Sequence, residues 1–282
     1  MDVSINRIRV GRAFHQQAGE YDRHATVQKR VADRLVSLAL SHVSEVPADI
    51  LDIGCGTGHL LSLLGRQYPH SRLYGLDLAY NMTSCAAERL GPDAMLVNGD
   101  AEHLPFRDGA FDLLVSTSTV QWVENLNAFL LQCHRALQPG ALLCVAFFGG
   151  RTMCELHECY REAVVRQSGD PEGYLGRLHR FKEIGTVQEA LERSDFGRVM
   201  LTSEIEMDYY PDVSDLLRSI KRIGAGAAAQ KVRPGGLGWR RVLNETSRLY
   251  HERHGSDGMI PVTYEVFYVV AQRLAAVSPA EK

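Results

Sequence analysis

Most of what could make this chain special in bulk is missing. No CxxC pair occurs among its six cysteines (Cys55, Cys85, Cys133, Cys144, Cys154, Cys159). They sit mostly inside apolar patterns, the usage expected of free thiols in a reducing compartment, so a cytoplasmic protein is expected. The longest uncharged apolar run, Ala141 to Phe148, is far short of the ~20 residues a membrane helix needs. Met1 to Phe14 carries three arginines and no apolar core, unlike a secretory signal. Formal net charge is −3, so no global positive field invites nucleic acid. His157-Glu158 is not a zinc pattern, because no second histidine follows four residues after the first. There is no internal repeat and no low-complexity tail beyond Ala275 to Lys282. At 282 residues the chain is long enough for one large domain, or a domain with a cap.

What is present is concentrated in Ile50-Leu51-Asp52-Ile53-Gly54-Cys55-Gly56-Thr57-Gly58-His59-Leu60. It reads as a buried strand, a glycine turn and a helix start. Glycines at alternating positions let the backbone approach a ligand and adopt positive φ, and the helix beyond points unpaired N–H groups at the turn. The spacing is not the G-x-G-x-x-G register in which a third glycine packs a helix under a pyrophosphate. Two acids accompany it. Asp52 lies on the strand before the turn, and Asp77 ends the next apolar stretch, where it can accept both hydroxyls of a ribose. The arrangement fits a nucleoside bearing an amino-acid tail.

Around it, strand and helix patterns alternate: 48–53, 59–67, 72–77, 80–90, 94–98, 111–116, 126–137 and 141–147. Such alternation implies a parallel sheet with right-handed crossovers. Residues 5–22 and 26–45 read as two helices, the second with Val27, Val31, Leu35 and Leu38 at helical spacing and Thr26 as a candidate N-cap. A helix follows at 152–168. Thr186-Val187-Gln188-Glu189 is a capping-box pattern opening another. A strand at 198–208, helices at 213–223 and 238–253, and a strand at 260–274 complete the pattern.

Asp52 to Gly58, with Cys55 inside it, resembles the first motif of class I S-adenosylmethionine-dependent methyltransferases. Later segments resemble that family's further motifs in order: Asp77-Leu78, then Gly99 to Phe106, then Phe111 to Val115, then Leu137 to Ala146. The resemblance implies an α/β, Rossmann-like class I methyltransferase fold. It has a seven-stranded, mostly parallel sheet, helices on both faces, N-terminal helices and a helical lid. It also implies S-adenosyl-L-methionine as cofactor, without a metal. Cofactor contacts would come from Asp52, Gly54, Cys55, Gly56, Gly58, Asp77, Leu78, Met82, Asp100, Ala101 and Glu102, with Asp100 and Ala101 flanking the adenine. Met82 reads equally well as core.

A narrower resemblance covers the flanks. Ala13-Phe14 with Ala18 to Ala25, Val120-Gln121-Trp122, Glu155-Leu156-His157, Leu217 to Ala225 and Pro261 to Phe267 are similar to malonyl-acyl-carrier-protein O-methyltransferases (the BioC family), which start the pimeloyl chain of biotin. Little matches at 165–180 and 226–260. The implied reaction esterifies the free carboxylate of malonyl-acyl-carrier protein or malonyl-CoA. Residues 1–45 would cap the site, 46–150 bind the cofactor, and 151–282 carry the lid and last strands of the same domain.

Esterifying a carboxylate needs no general base, because a carboxyl group of pKa roughly 3–4 is ionised at neutral pH. Desolvating that anion does need a donor or a cation nearby. Tyr21, His24 and Gln121 are donor candidates, and Trp122 is placed to line the site beyond a strand's C-terminal end. Each also reads as ordinary packing. Cationic candidates are Arg151, Lys221 and Arg222. From Leu216 to Arg241 the chain has seven basic residues (Arg218, Lys221, Arg222, Lys231, Arg233, Arg240, Arg241) and no acidic one, a docking surface for an acidic carrier or an ordinary solvated face. A methyltransferase for a quinone precursor or free organic acid, and a non-catalytic cofactor-binding partner protein, remain open alternatives.

Overall fold

A computed structural model of the chain describes residues 7–167, 179–228 and 237–274. Residues 5–6 of the first expected helix, Lys231 and Arg233 of the basic stretch, and the 275–282 tail lie outside the described residues.

The chain opens with α1 (Arg7–His24) and α2 (Thr26–His42). Val27, Val31 and Leu35 of α2 are buried, the stripe that a 3.6-residue period turns toward one side. Thr26 does not cap α2. It is the first helical residue, and Ala25 holds the cap position without a side-chain hydrogen bond. The reason is continuity: the Ala25 N–H donates to the Tyr21 carbonyl and the Ala25 carbonyl accepts from Lys29, so the joint leaves little for a cap to satisfy.

Then follow β1 (Asp49–Ile53), α3 (His59–Gln67), β2 (Arg72–Asp77), α4 (Tyr80–Leu90), β3 (Met95–Asn98), β4 (Phe111–Thr117), α5 (Leu126–Ala136) and β5 (Leu137–Phe148). The last part holds α6 (Cys154–Gln167), α7 (Ile184–Glu192), β6 (Phe196–Tyr210), α8 (Val213–Arg222), α9 (Leu237–His254) and β7 (Ile260–Arg273). The expected capping box does not open α7: the helix starts at Ile184 with Glu183 in the cap position, leaving Thr186 inside it. Lys182 bridges Gly149 in the strand direction, and the helix begins as soon as that extended strap ends.

The seven strands form one sheet in the order β3-β2-β1-β4-β5-β7-β6. β1 to β5 are parallel, and β7 runs antiparallel between β5 and β6. All of β1 is buried, as a central strand covered on both faces must be. One core lies beneath α2, α3, α6 and α9; the other lies beneath α5 and α7. β1 has β2 on one side and β4 on the other, so the winding reverses there. That switch point opens a crevice at the carboxyl ends of β1 and β4, where α/β sheets bind ligands.

Phe129 of α5 is fully buried in the second core. Phe129→Ala is expected to destabilise the fold by about 3–5 kcal/mol, read as a lower denaturant midpoint with an unchanged slope; an unmoved midpoint contradicts this packing.

Candidate active site

Two connected cavities occupy the crevice. The larger is lined by α1, the turn after β1 and the loops after β2, β3 and β4. The smaller shares Tyr21, Gly54, Gly56, Thr117 and Ser118 with it.

The turn after β1 forms the floor. Gly54, Gly56 and Gly58 all have positive φ, at 76°, 53° and 78°. Their tasks differ. A Cβ on Gly54 would lie 2.0 Å from Thr119 Oγ1, so its absence lets the end of β4 pack onto the turn. Gly56 faces open space and borders both cavities. Gly58 borders neither; a Cβ there would meet Ala86 and Leu90 at 3.1 Å, so it allows α4 to pack closely against the start of α3.

Asp77 holds this turn in place. Its Oδ2 accepts from the Gly56 N–H at 2.9 Å and its Oδ1 from the Ala79 N–H at 2.8 Å. Burial raises its pKa despite these donors. Asp52 is 1% exposed, and its Oδ1 has no hydrogen-bond partner among the described residues. Burial, then the neighbouring Asp77, raises its pKa well above the ordinary carboxylate range. The Cys55 thiol is likewise pushed up by burial, Asp77 and Asp52; Cys55 borders the smaller cavity.

Leu78, Met82, Asp100, Ala101 and Glu102 all line the larger cavity. Met82 is 1% exposed, so it serves core and cavity wall together. Asp100 accepts from the Glu102 N–H at 2.9 Å and from Arg7 Nη1 at 2.5 Å. Glu102 accepts from the N–H groups of Glu124 and Asn125 at 2.8 and 3.3 Å, tying the end of β3 to the segment before α5.

The roof is α1. Phe14 and Tyr21 line the cavity, and Phe14 sits edge-on to Trp122 with centroids 5.8 Å apart. Burial, Asp77 and Asp22 raise the Tyr21 phenol, which therefore stays protonated. His24, at the end of α1, borders neither cavity. Gln121 is buried, but its Nε2 donates to the Ser118 carbonyl at 2.7 Å, which holds the loop after β4. The cationic candidates also lie apart from the cleft. Arg151 borders a separate groove. Arg218 pairs with Asp215 at 2.7 Å, while Lys221 and Arg222 are exposed at the end of α8.

Sequence reasoning missed several contributors. Arg7, Val10 and Gly11 of α1 line the larger cavity, as do Thr117, Ser118 and Thr119. Ser118 has φ 53°, and its hydroxyl is buried without a partner among the described residues; a non-glycine residue strained in this way is a mark of functional sites. Behind Trp122 lies His179, with ring centroids 4.6 Å apart. Lys182 Nζ donates to the Val120 and Val123 carbonyls at 3.2 and 2.7 Å. Burial lowers Lys182 to about 8, partly opposed by Glu102. No periodicity or motif marks these positions.

Comparison with known proteins agrees with this geometry. Residues 51–145 match a family model described as a methyltransferase domain. A malonyl-[acyl-carrier protein] O-methyltransferase of Geobacter sulfurreducens is 44% identical over 95% of this chain and 100% of that protein. The chain belongs to the malonyl-[acyl-carrier protein] O-methyltransferase family. A biotin biosynthesis bifunctional protein BioHC of Teredinibacter turnerae is 32% identical over 96% of this chain, which spans 48% of that protein. In fold the chain is similar to the YcgJ protein of Bacillus subtilis, with a TM-score of 0.59 and 16% identity over 86% of this chain and 99% of that one.

This is therefore a class I S-adenosylmethionine-dependent methyltransferase. The residues present fit that group. A cationic, ribose-bearing ligand suits the half-buried Asp77 on the cavity wall, with the buried Asp52 behind it bearing an unpartnered oxygen, beside a turn whose Gly56 leaves room for close approach.

Asp77→Ala is expected to weaken S-adenosylmethionine binding about tenfold or more, the worth of one charge-assisted hydrogen bond; unchanged affinity in calorimetry on folded protein contradicts this. The raised carboxylate pKa values set the sign of a pH effect. A cation needs Asp52 and Asp77 ionised, so affinity is full above their raised pKa values and declines as pH falls through them, at higher pH than an ordinary aspartate near 3.9 would dictate. Ligand-induced thermal shifts measured from pH 8 down to pH 4.5 check this, and a constant shift across the range opposes it.

Proposed function

We propose that the protein transfers the methyl group of S-adenosylmethionine to the free carboxylate of a malonyl thioester, borne by acyl carrier protein or coenzyme A, in biotin synthesis. The observation that carries this reading is 44% identity over the whole length of a relative with that name, joined to a cleft lined by Asp77, Asp100 and Glu102 under an aromatic roof. No described helix is long and apolar enough to cross a membrane. The described cysteines are all free, in keeping with a reducing cytoplasm.

When bound, S-adenosylmethionine supplies an electrophilic methyl group on a sulfonium. The acceptor carboxylate, with a pKa of roughly 3–4, is already ionised, so this chain needs no base and must instead align the oxygen and exclude water. In our reading Asp52, Gly54, Cys55, Gly56, Asp77, Leu78, Met82, Asp100, Ala101 and Glu102 hold the cofactor, and Gly58 supports them from behind. Phe14, Tyr21 and Trp122 shut the roof against water. Tyr21 is the donor to the incoming carboxylate, since its raised pKa keeps the phenol protonated. The unpartnered Ser118 hydroxyl, at the junction of the cavities, is a second donor. Gln121 shapes this loop. His24 has no place at the reacting oxygen. Residues 1–45 act as the cap, 46–150 as the cofactor-binding core, and 151–282 as the remainder of the same domain.

The test offers labelled S-adenosylmethionine with malonyl carrier protein, malonyl-CoA and free malonate. We expect a base-labile methyl ester on the thioesters, and on Tyr21→Phe a loss of rate of about tenfold or more from one lost hydrogen bond to a charged group. Transfer to free malonate as fast as to the thioesters contradicts the assignment.

A further inference from the structure

The loop that carries Trp122 is held from outside itself. Val120 to Trp122 form a single 3-10 turn, entered through Ser118 at positive φ. Two backbone bonds close it, from the Trp122 N–H to the Thr119 carbonyl at 2.8 Å and from the Val123 N–H to the Val120 carbonyl at 3.2 Å. One such turn makes too few hydrogen bonds to keep its own shape. Its neighbours supply the rest, and they do so with opposite charges. Lys182 Nζ donates to the Val120 and Val123 carbonyls at 3.2 and 2.7 Å. The Glu102 carboxylate accepts from the Glu124 and Asn125 N–H groups at 2.8 and 3.3 Å. Along the one stretch from Val120 to Asn125, a cation takes carbonyls and a carboxylate takes amides.

The two clamps differ in place. Glu102 lines the larger cavity, whereas Lys182 borders neither cavity. Lys182 belongs to the strap before α7, whose backbone bridges Gly149 just past the end of β5. The same strap sets the His179 ring against Trp122, with centroids 4.6 Å apart. His179 in turn meets Phe181 at 4.6 Å, and Phe181 meets Phe148 of β5 at 6.4 Å. The indole is thus enclosed by His179 of the strap and, at 5.8 Å, by Phe14 of the roof. A half-buried ammonium is costly unless its donors find acceptors, and those of Lys182 are engaged by this loop.

We propose that Lys182 is a positioning residue for methyl transfer: by holding the Val120 and Val123 carbonyls it sets how far Trp122 reaches into the cleft, without itself touching cofactor or acceptor. The inference rests on the reading that Trp122 lines the acceptor end of the cleft, and adds the residue that fixes the indole there. Without the ammonium the Val123 carbonyl loses its 2.7 Å donor, and only Glu102 still holds the segment beyond the turn.

The test is a double-variant cycle on the full-length protein with malonyl-CoA as acceptor. Lys182→Met should lower kcat/KM about tenfold or more, through the loss of hydrogen bonds from a charged group. Lys182→Arg, which keeps the charge and can donate to both carbonyls, should recover most of that loss. In a Trp122→Phe background Lys182→Met should cost about threefold or less, because residues that act through one another are not additive. A second readout needs no acceptor. With Trp239→Phe, Trp122 is the remaining tryptophan, and adding Lys182→Met should shift its emission to the red and raise its quenching by acrylamide. If Lys182→Met does not fold, Lys182→Gln replaces it in both arms. Additive losses in the cycle, or equal losses in Lys182→Arg and Lys182→Met, overturn the proposal, since Lys182 would then act on the fold alone. Unchanged Trp122 emission and quenching also overturn it. A wild type that turns over no malonyl thioester sinks the acceptor reading alone, and the Trp122 fluorescence then still decides whether Lys182 fixes the indole.

Discussion

Everything at this site hangs on the Asp77 carboxylate gripping two backbone amides, those of Gly56 and Ala79. It joins the turn after β1 to the end of β2 and the start of α4, and so sets the shape of the floor before any ligand arrives. The Gly54 and Cys55 amides reinforce the joint by donating to the Leu76 carbonyl. The cost is electrostatic. Asp77 is half-buried near the buried Asp52, and both are pushed toward the protonated form. Two crowded carboxylates without a cation are unfavourable for the empty protein, and a cationic ligand relieves them. Tension of this kind favours the charged methyl donor over its neutral demethylated product.

The cap is attached to that floor at both ends of α1. Near its start Arg7 pairs with Asp100 at 2.5 Å. Near its end Asp22 accepts from Thr57 Oγ1 at 2.8 Å and from Arg89, and Arg89 also donates to the Thr57 carbonyl at 2.8 Å. Burial alone would raise Asp22, but Thr57 and Arg89 outweigh it and hold it below the usual value. By the sign of that shift, this clamp contributes above the ordinary aspartate pKa and is lost as pH falls through the lowered one. The same turn thus borders the cleft on one side and holds the roof on the other.

How far the site could be read in advance depended on how local its chemistry is. Asp52, Gly56, Asp77 and Asp100 belong to short segments whose residue types, spacing and order survive as a pattern; the parallel strands followed from the alternation of strands and helices, and the seven-stranded sheet from the family resemblance those segments carry. The roles within the pattern were less legible. Gly58 resembles a ligand contact in sequence, yet its missing Cβ is needed by Ala86 and Leu90, residues some thirty positions away whose approach no local pattern encodes. His179 and Lys182 reach the site through a strap that pairs with Gly149, a long-range contact without periodicity. Ser118 is marked only by its backbone angle. Arg218 looked free because its acidic partner, Asp215, lies just before the stretch in which basic residues were counted.

The central claim is that the Gly54–Gly56 turn and its two aspartates hold the methyl donor beneath α1. A crystal structure with the demethylated cofactor tests it most directly. The account predicts ribose hydroxyls on Asp77, the amino-acid tail over Gly54 and Gly56, and the adenine against Asp100 and Ala101. A nucleoside seated elsewhere, or one whose ribose leaves Asp77 untouched, contradicts it.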